Sequence, residues 1–142
     1  EVDQSFKKFL LNIDATGNIR LMNSEDIETG GLELVVGFKG AEPAILDAYT
    51  QSGGERSAAT MAFLLALQQY VKSPFRAVDE FDVHMDPRNR EIFSTLLFKE
   101  ISQNKEFQYL AITPGQITNI DENVHVITVQ NVKGKSEVKV VE

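Results

Sequence analysis

The chain has 142 residues, 42% of them apolar and 25% charged, a composition that fits one soluble globular domain with a real core. It contains no cysteine, which excludes a disulfide framework, a cysteine-based zinc site and a thiol nucleophile, and suits a reducing interior. With 21 acidic residues against 14 lysines and arginines, the net charge of −7 argues against strong nucleic-acid or anionic-membrane binding by this chain alone.

Val2, Phe6, Phe9, Leu10 and Ile13 recur at helical spacing and predict a short amphipathic opening helix. The chain starts at Glu1, inside that helix, as expected of a piece excised from something longer. Gly17-Asn18 reads as a turn, Ile19 to Met22 as a short strand and Gly30-Gly31 as a second break. Leu32 to Phe38 is rich in strand formers and is expected to pair antiparallel with it. Gly40 to Thr50, with Pro43, reads as a connecting loop. A helix predicted from Ser57 to Val71 is apolar almost all round, so burial on most faces is expected. Ser73-Pro74 ends it, and Phe75 to Val78 follows as a strand. Asp86-Pro87 starts another helix, whose apolar stripe of Ile92, Phe93, Leu96, Leu97 and Ile101 runs to about Ser102. Tyr109 to Ile112 is a strand stopped by Thr113-Pro114-Gly115, and the last two strands flank Lys133 to Ser136 as a hairpin. The helix, strand, helix, strand order of the centre predicts a parallel α/β sheet with β additions at both ends. The longest weakly polar run, Ala58 to Leu67, is far short of the ~20 residues a membrane span needs, and the polar N-terminus has no signal-peptide pattern.

Two clusters could carry chemistry. In Gln51-Ser52-Gly53-Gly54-Glu55-Arg56-Ser57, paired glycines lead into a helix N-terminus, where free N–H groups and the helix dipole favour an anion such as phosphate. A polar turn capping a core helix accounts for the same residues and is the commoner use. In Val78-Asp79-Glu80-Phe81-Asp82-Val83-His84-Met85-Asp86, carboxylates directly follow an apolar strand, at the carboxyl edge where open α/β sheets place their sites. One such carboxylate can hold Mg²⁺ through water while its neighbour accepts a proton from an attacking water. A solvated acidic loop is the plain alternative. Arg56 suits either an anion contact or a surface ion pair. Arg76, unusual in a short core strand, is expected at an edge or beside an acid.

In this order the two clusters resemble the C-terminal half of the ABC-type ATPase head. Ser52-Gly53-Gly54-Glu55 is similar to the signature motif, with Gln51 where leucine is usual and Glu55 where many members have glutamine. Phe75 to Glu80 resembles the Walker B strand and Asp82 to Asp86 the D-loop. The resemblance is nearest to the SMC proteins, the chromosome-structure ATPases, and within them to the DNA-repair branch. It covers about Phe6 to at least Thr113. It implies that residues 1–142 form the C-terminal lobe of an SMC head, a P-loop-NTPase-like, mostly parallel sheet flanked by helices with added strands. Residues 1–12 would be a stub of coiled-coil helix, residues 51–57 the signature loop, and residues 75–86 the Walker B strand and D-loop.

The roles implied are specific. Ser52, Gly53, Gly54 and Glu55 would bind ATP held by the opposing head, and Asp86 would cross the dimer interface. Asp79 would support Mg²⁺ through water, and Glu80 would activate the attacking water. Thr113 would be the switch residue; where the family usually has Thr-His this chain has Thr113-Pro114, an ending also found in the repair branch. No Gly-x-x-x-x-Gly-Lys-Ser/Thr loop is present, since Gly134-Lys135-Ser136 has Val129 where the first glycine should be. The resemblance therefore implies ATP hydrolysis only with an N-terminal Walker A half. The other implied partners are a second SMC-type head, a kleisin-type subunit and DNA, with no membrane. The setting would be the chromosome, in the cytoplasm or nucleoid, or in a nucleus. A transporter ATP-binding subunit fragment and a non-catalytic scaffold lobe are the alternatives.

Overall fold

Phe6 and Leu10 lie one helical turn apart on α1 (Val2–Leu11) and are fully buried, so the apolar stripe read from the sequence becomes the packing face. In the computed structural model, which describes residues 1–103, 107–115, 117 and 124–141, α1 packs on α2 (Gly53–Gln68). The Phe6 and Phe63 rings meet edge-on, with centroids 6.2 Å apart. An antiparallel sheet ordered β1 (Ala15–Met22), β2 (Gly31–Phe38), β3 (Ala44–Ile45) contributes Ala15, Val36 and Phe38 to the same core. Asp3 ties helix to sheet by accepting the Ile19 amide at 2.8 Å and pairing with Lys7 at 2.7 Å. Those two partners, Lys7 foremost, hold its carboxyl below the ordinary aspartate value of 3.8.

The second layer is a parallel pair, β4 (Phe75–Asp79) and β5 (Gln108–Ile112), linked by α3 (Pro87–Gln103). Phe93 and Leu97 bring α3 into the core, and Met85 is buried just ahead of it. One face of the pair, with Val78, Tyr109 and Ala111, packs on that core. The other face carries Phe75, Ala77, Leu110 and Ile112, all exposed. Parallel strands are ordinarily covered on both faces, so this one is unfinished among the described residues. A final hairpin joins β6 (Val126–Val132) to β7 (Lys135–Val141) through Lys133-Gly134. Both turn residues have positive φ, 50° and 82°, the requirement of a two-residue hairpin turn.

The α/β class is as expected, and the parallel pairing falls in the centre with antiparallel β additions on either side. Among the described residues, however, β4 and β5 are the only parallel pair, so antiparallel pairing outweighs the mostly parallel sheet foreseen. Four local readings change. Gly17-Asn18 is no turn but lies inside β1; a β-carbon at Gly17 would collide with the Val35 carbonyl oxygen of β2. The 40–50 loop contains the two-residue β3. The helix begins at Gly53 rather than Ser57 and ends at Gln68, so both glycines of the signature stretch form its first turn. Finally, the burial expected on most faces of α2 holds except along one exposed stripe, Thr60, Leu64 and Leu67, beside the buried Ala58, Met61, Ala62 and Leu65.

Candidate functional site

The first turn of α2 is fixed by a reciprocal cap. Ser52 Oγ accepts the Glu55 amide at 3.3 Å, while Glu55 Oε2 accepts the Ser52 amide at 3.0 Å. The cap's local sequence, Ser followed three residues later by Glu, is therefore used structurally as well as standing in the motif. Gly53 faces open space, whereas a β-carbon on Gly54 would lie 3.0 Å from the His84 carbonyl oxygen. Upstream, Gln51 donates to the Val36 carbonyl at 3.2 Å and accepts the Asp47 amide at 3.1 Å. Asp47 in turn accepts the amides of Thr50 and Tyr49, which lower its pKa. Gln51 thus moors the loop to β2 by hydrogen bonds where the family usually has leucine. Arg56 donates to the carbonyls of Gln51 and Asp47, at 3.1 and 3.5 Å, and forms no ion pair among the described residues.

Asp79 ends β4 opposite Ile112, and its side chain is exposed on the open face of the pair. Glu80 follows in the left-handed region, φ 48°, which for a non-glycine residue costs about 1–2 kcal/mol. Two bonds hold that conformation: the Glu80 amide donates to the Ile112 carbonyl at 2.9 Å, and the Glu80 carbonyl accepts from Val83 at 3.3 Å. Strain retained at the carboxyl edge of parallel strands is a property of functional sites. Asp86 caps α3, accepting the Asn89 amide at 3.1 Å and its side-chain amide at 2.8 Å. Thr113, one residue past β5, donates its hydroxyl to Asp82 at 2.8 Å.

Two clefts share the wall made by Gly54 and His84. One, of about 730 Å³, brings Gly53 and Gly54 to Asp79; the other, of about 570 Å³, brings Ser52 and Glu55 to Asp86. Glu80 and Thr113 line neither. The sequence reading missed a role for Asp82 and did not consider Arg90. Asp82 is 3% exposed and pairs with Arg90 at 3.5 Å. Its signal was an acid flanked by Phe81 and Val83, three residues after Asp79. Arg76 lies over the Phe107 ring at 3.8 Å and donates to the Val71 carbonyl at 3.0 Å; among the described residues no acid pairs with it.

The residues present suit a nucleotide and Mg²⁺ in one respect each. At the start of α2, Gly53 opens on free space beside the helix N-terminus, where an anion would meet unpaired N–H groups. Among the described residues no three acids or histidines gather as a metal cage, and the exposed Asp79 carboxylate is a hard oxygen donor of the kind Mg²⁺ takes. No helix among the described residues is long and apolar enough to cross a membrane.

A parallel pair with acids at its carboxyl edge, facing the capped start of a helix, defines a nucleotide-site class of α/β fold. Within that class, the model of the RecF/RecN/SMC N-terminal domain matches residues 1–135, and the chain belongs to this family. It is 32% identical over 133 residues to structural maintenance of chromosomes protein 5 of Schizosaccharomyces pombe, covering 92% of this chain and 12% of that protein. To protein 6 of Dictyostelium discoideum it is 37% identical over 130 residues, covering 87% and 11%. To the chromosome partition protein Smc of Pyrococcus furiosus it is 29% identical over 127 residues, covering 88% and 10%. The chain thus spans only about an eighth or less of the length of these relatives. The Pyrococcus furiosus Smc head with an extended coiled coil, bound to the C-terminal domain of ScpA, superposes with a TM-score of 0.76 at 28% identity, over 99% of this chain and 34% of that one. A structure from work on ATP-driven dimerization and DNA-stimulated activation of SMC ATPases gives 0.74 at 28% identity, over 99% and 83%. The fold is that of an SMC head, which sets the transporter reading aside.

Proposed function

We propose that this chain is the C-terminal lobe of an SMC-type ATPase head of the DNA-repair branch, which hydrolyses ATP once an N-terminal lobe supplies the phosphate loop. The observation that carries this reading is the strained Glu80 beside exposed Asp79 at the carboxyl edge of β4, next to the end of β5. The family model is described as an N-terminal domain. The C-terminal assignment is supported instead by the lack of a phosphate loop anywhere in the sequence and by the open face of β4 and β5, which a further layer would cover. Identities of 32% and 37% to SMC5 and SMC6 proteins, against 29% to the archaeal Smc, support the branch.

In the assembled head, Asp79 would hold Mg²⁺ through water, and that ion would supply screening of the phosphate charge. Glu80 accepts the proton of the attacking water. Ser52, with the amides of Gly53 and Gly54, donates to the γ-phosphate carried by an opposing head. Glu55 orders Ser52 through the cap, while Asp86 meets that head across the interface and Thr113, whose hydroxyl is given to Asp82, acts on the site through Asp82 rather than by touching phosphate. The relative solved with ScpA supports a kleisin-type partner at the head, and the relatives' names support a chromosomal setting with DNA as the handled polymer. Residues 1–12 are then the foot of the returning coiled coil.

Alone, the chain should neither bind ATP tightly nor hydrolyse it; robust turnover by the isolated chain would overturn the half-head reading. With the N-terminal lobe supplied, Glu80→Gln is expected to bind ATP, lose hydrolysis and accumulate engaged dimers on gel filtration. Ser52→Arg is expected to bind ATP yet stay monomeric. Normal dimerisation by the Ser52→Arg head would remove the trans role of this loop.

A further inference from the structure

The buried carboxylate of Asp82 joins three elements. Both of its oxygens lie 2.8 Å from the Thr113 hydroxyl, and Arg90 of α3 approaches Oδ2 at 3.5 Å. Thr113 Oγ1 also accepts the Gly115 amide at 2.9 Å, so its single proton and one lone pair are engaged. A β-carbon on Gly115 would sit 2.7 Å from Asp82 Oδ2, so the turn after β5 is shaped to admit the carboxylate. A carboxylate this desolvated is costly unless hydrogen-bonded and balanced by charge, and here it is both. The left-handed step at Glu80 turns the chain so that Asp82, two residues on, faces the end of β5. Glu80 is held to the same strand by its amide on the Ile112 carbonyl.

We infer that Asp82 is a positioning residue: it latches the turn after Glu80 to Thr113, so that the placement of the Glu80 carboxylate and of the β5 end are set by one buried hydrogen-bonded pair. This inference rests on the proposed ATPase reading for its kinetic consequence, though not for the latch itself. Misplacing a catalytic group by about 1 Å can cost up to ~100-fold in rate, while substrate binding made elsewhere is untouched. Loss of the latch should therefore lower kcat and spare KM.

The test uses the complete head with both lobes. Asp82→Asn and Thr113→Val are each expected to lower kcat about tenfold with the KM for ATP within about twofold, and the double variant should fall no further than the worse single. Thr113→Ser, which restores the hydroxyl, should recover most of the rate lost in Thr113→Val. Amide hydrogen exchange is read in parallel: Asp82→Asn should expose the Gly115 and Glu80 amides while the β1–β2 amides stay protected. Independent, multiplying kinetic effects, or unchanged exchange at Gly115 and Glu80, would overturn the latch. If the wild-type head and its Glu80→Gln variant prove equally inactive, the ATPase reading fails, and the exchange experiment still decides whether Asp82 fastens Glu80 to β5.

Discussion

The uncovered face of β4 and β5 gives the half-head reading a quantitative consequence. Phe75, Leu110 and Ile112 are 51%, 44% and 50% exposed. Complete burial of such a side chain contributes about 1.5–3 kcal/mol, so covering the open half contributes about 1 kcal/mol apiece. Replacing Phe75 and Leu110 together by alanine should weaken association with a separately purified N-terminal lobe by about 2 kcal/mol, or roughly thirtyfold in Kd. Calorimetric titration of that lobe into this chain measures the change. The chain's own stability should fall by a similar amount, because the other half of each side chain is already covered within the chain. Phe93→Ala is the contrast: Phe93 is wholly buried, and its truncation should cost about 3–5 kcal/mol of the chain's own stability. A Kd for the Phe75/Leu110 variant within about twofold of wild type would refute the docking role of this face.

Other expectations follow from single contacts. Glu80→Gly relieves a left-handed residue and should raise the denaturant midpoint by about 1 kcal/mol equivalent, whereas glycine normally destabilises; a lower midpoint would mean that φ at Glu80 stores no strain. Ser52→Ala removes half of the reciprocal cap and should cost about 1 kcal/mol in thermal unfolding. Gly17→Val forces β1 away from the Val35 carbonyl and should abolish protection of the paired β1–β2 amides in hydrogen exchange. The Asp3 carboxyl titrates lower in the folded chain than in the unfolded one, so its contribution is present above the ordinary value of 3.8 and disappears as pH falls from there through the depressed folded value. Asp3→Asn should therefore reduce stability at neutral pH and flatten the acid limb of a urea-unfolding series; equal slopes for both chains would contradict this.

The sequence made the elements legible where pattern and chemistry agreed. Phe6 and Leu10, the Asp86-Pro87 helix start and the Lys133-Gly134 turn all fold as their spacing or residue type suggests. It misled where a glycine served packing rather than turning. Gly17 allows backbone to approach backbone inside a strand, and Gly53 and Gly54 open a helix because the Ser52–Glu55 cap outweighs their poor propensity. The exposed stripe of α2 was illegible because composition alone cannot tell a buried apolar face from one awaiting a partner. At the site, Asp79 and Glu80 could be located by their position after a strand. Asp82 could not be separated from its acidic neighbours, since its role depends on Thr113, which is 31 residues away. Gln51 was visible only as a departure, and its use as a mooring needed the position of β2.

Gly54 leaves little room for a β-carbon beside the His84 carbonyl, and Asp86, two residues beyond His84, caps α3. A side chain added at Gly54 would therefore press on the loop that leads into the next helix. To an approaching surface the two loops present one stiff lip, and that surface seats on both of them or on neither.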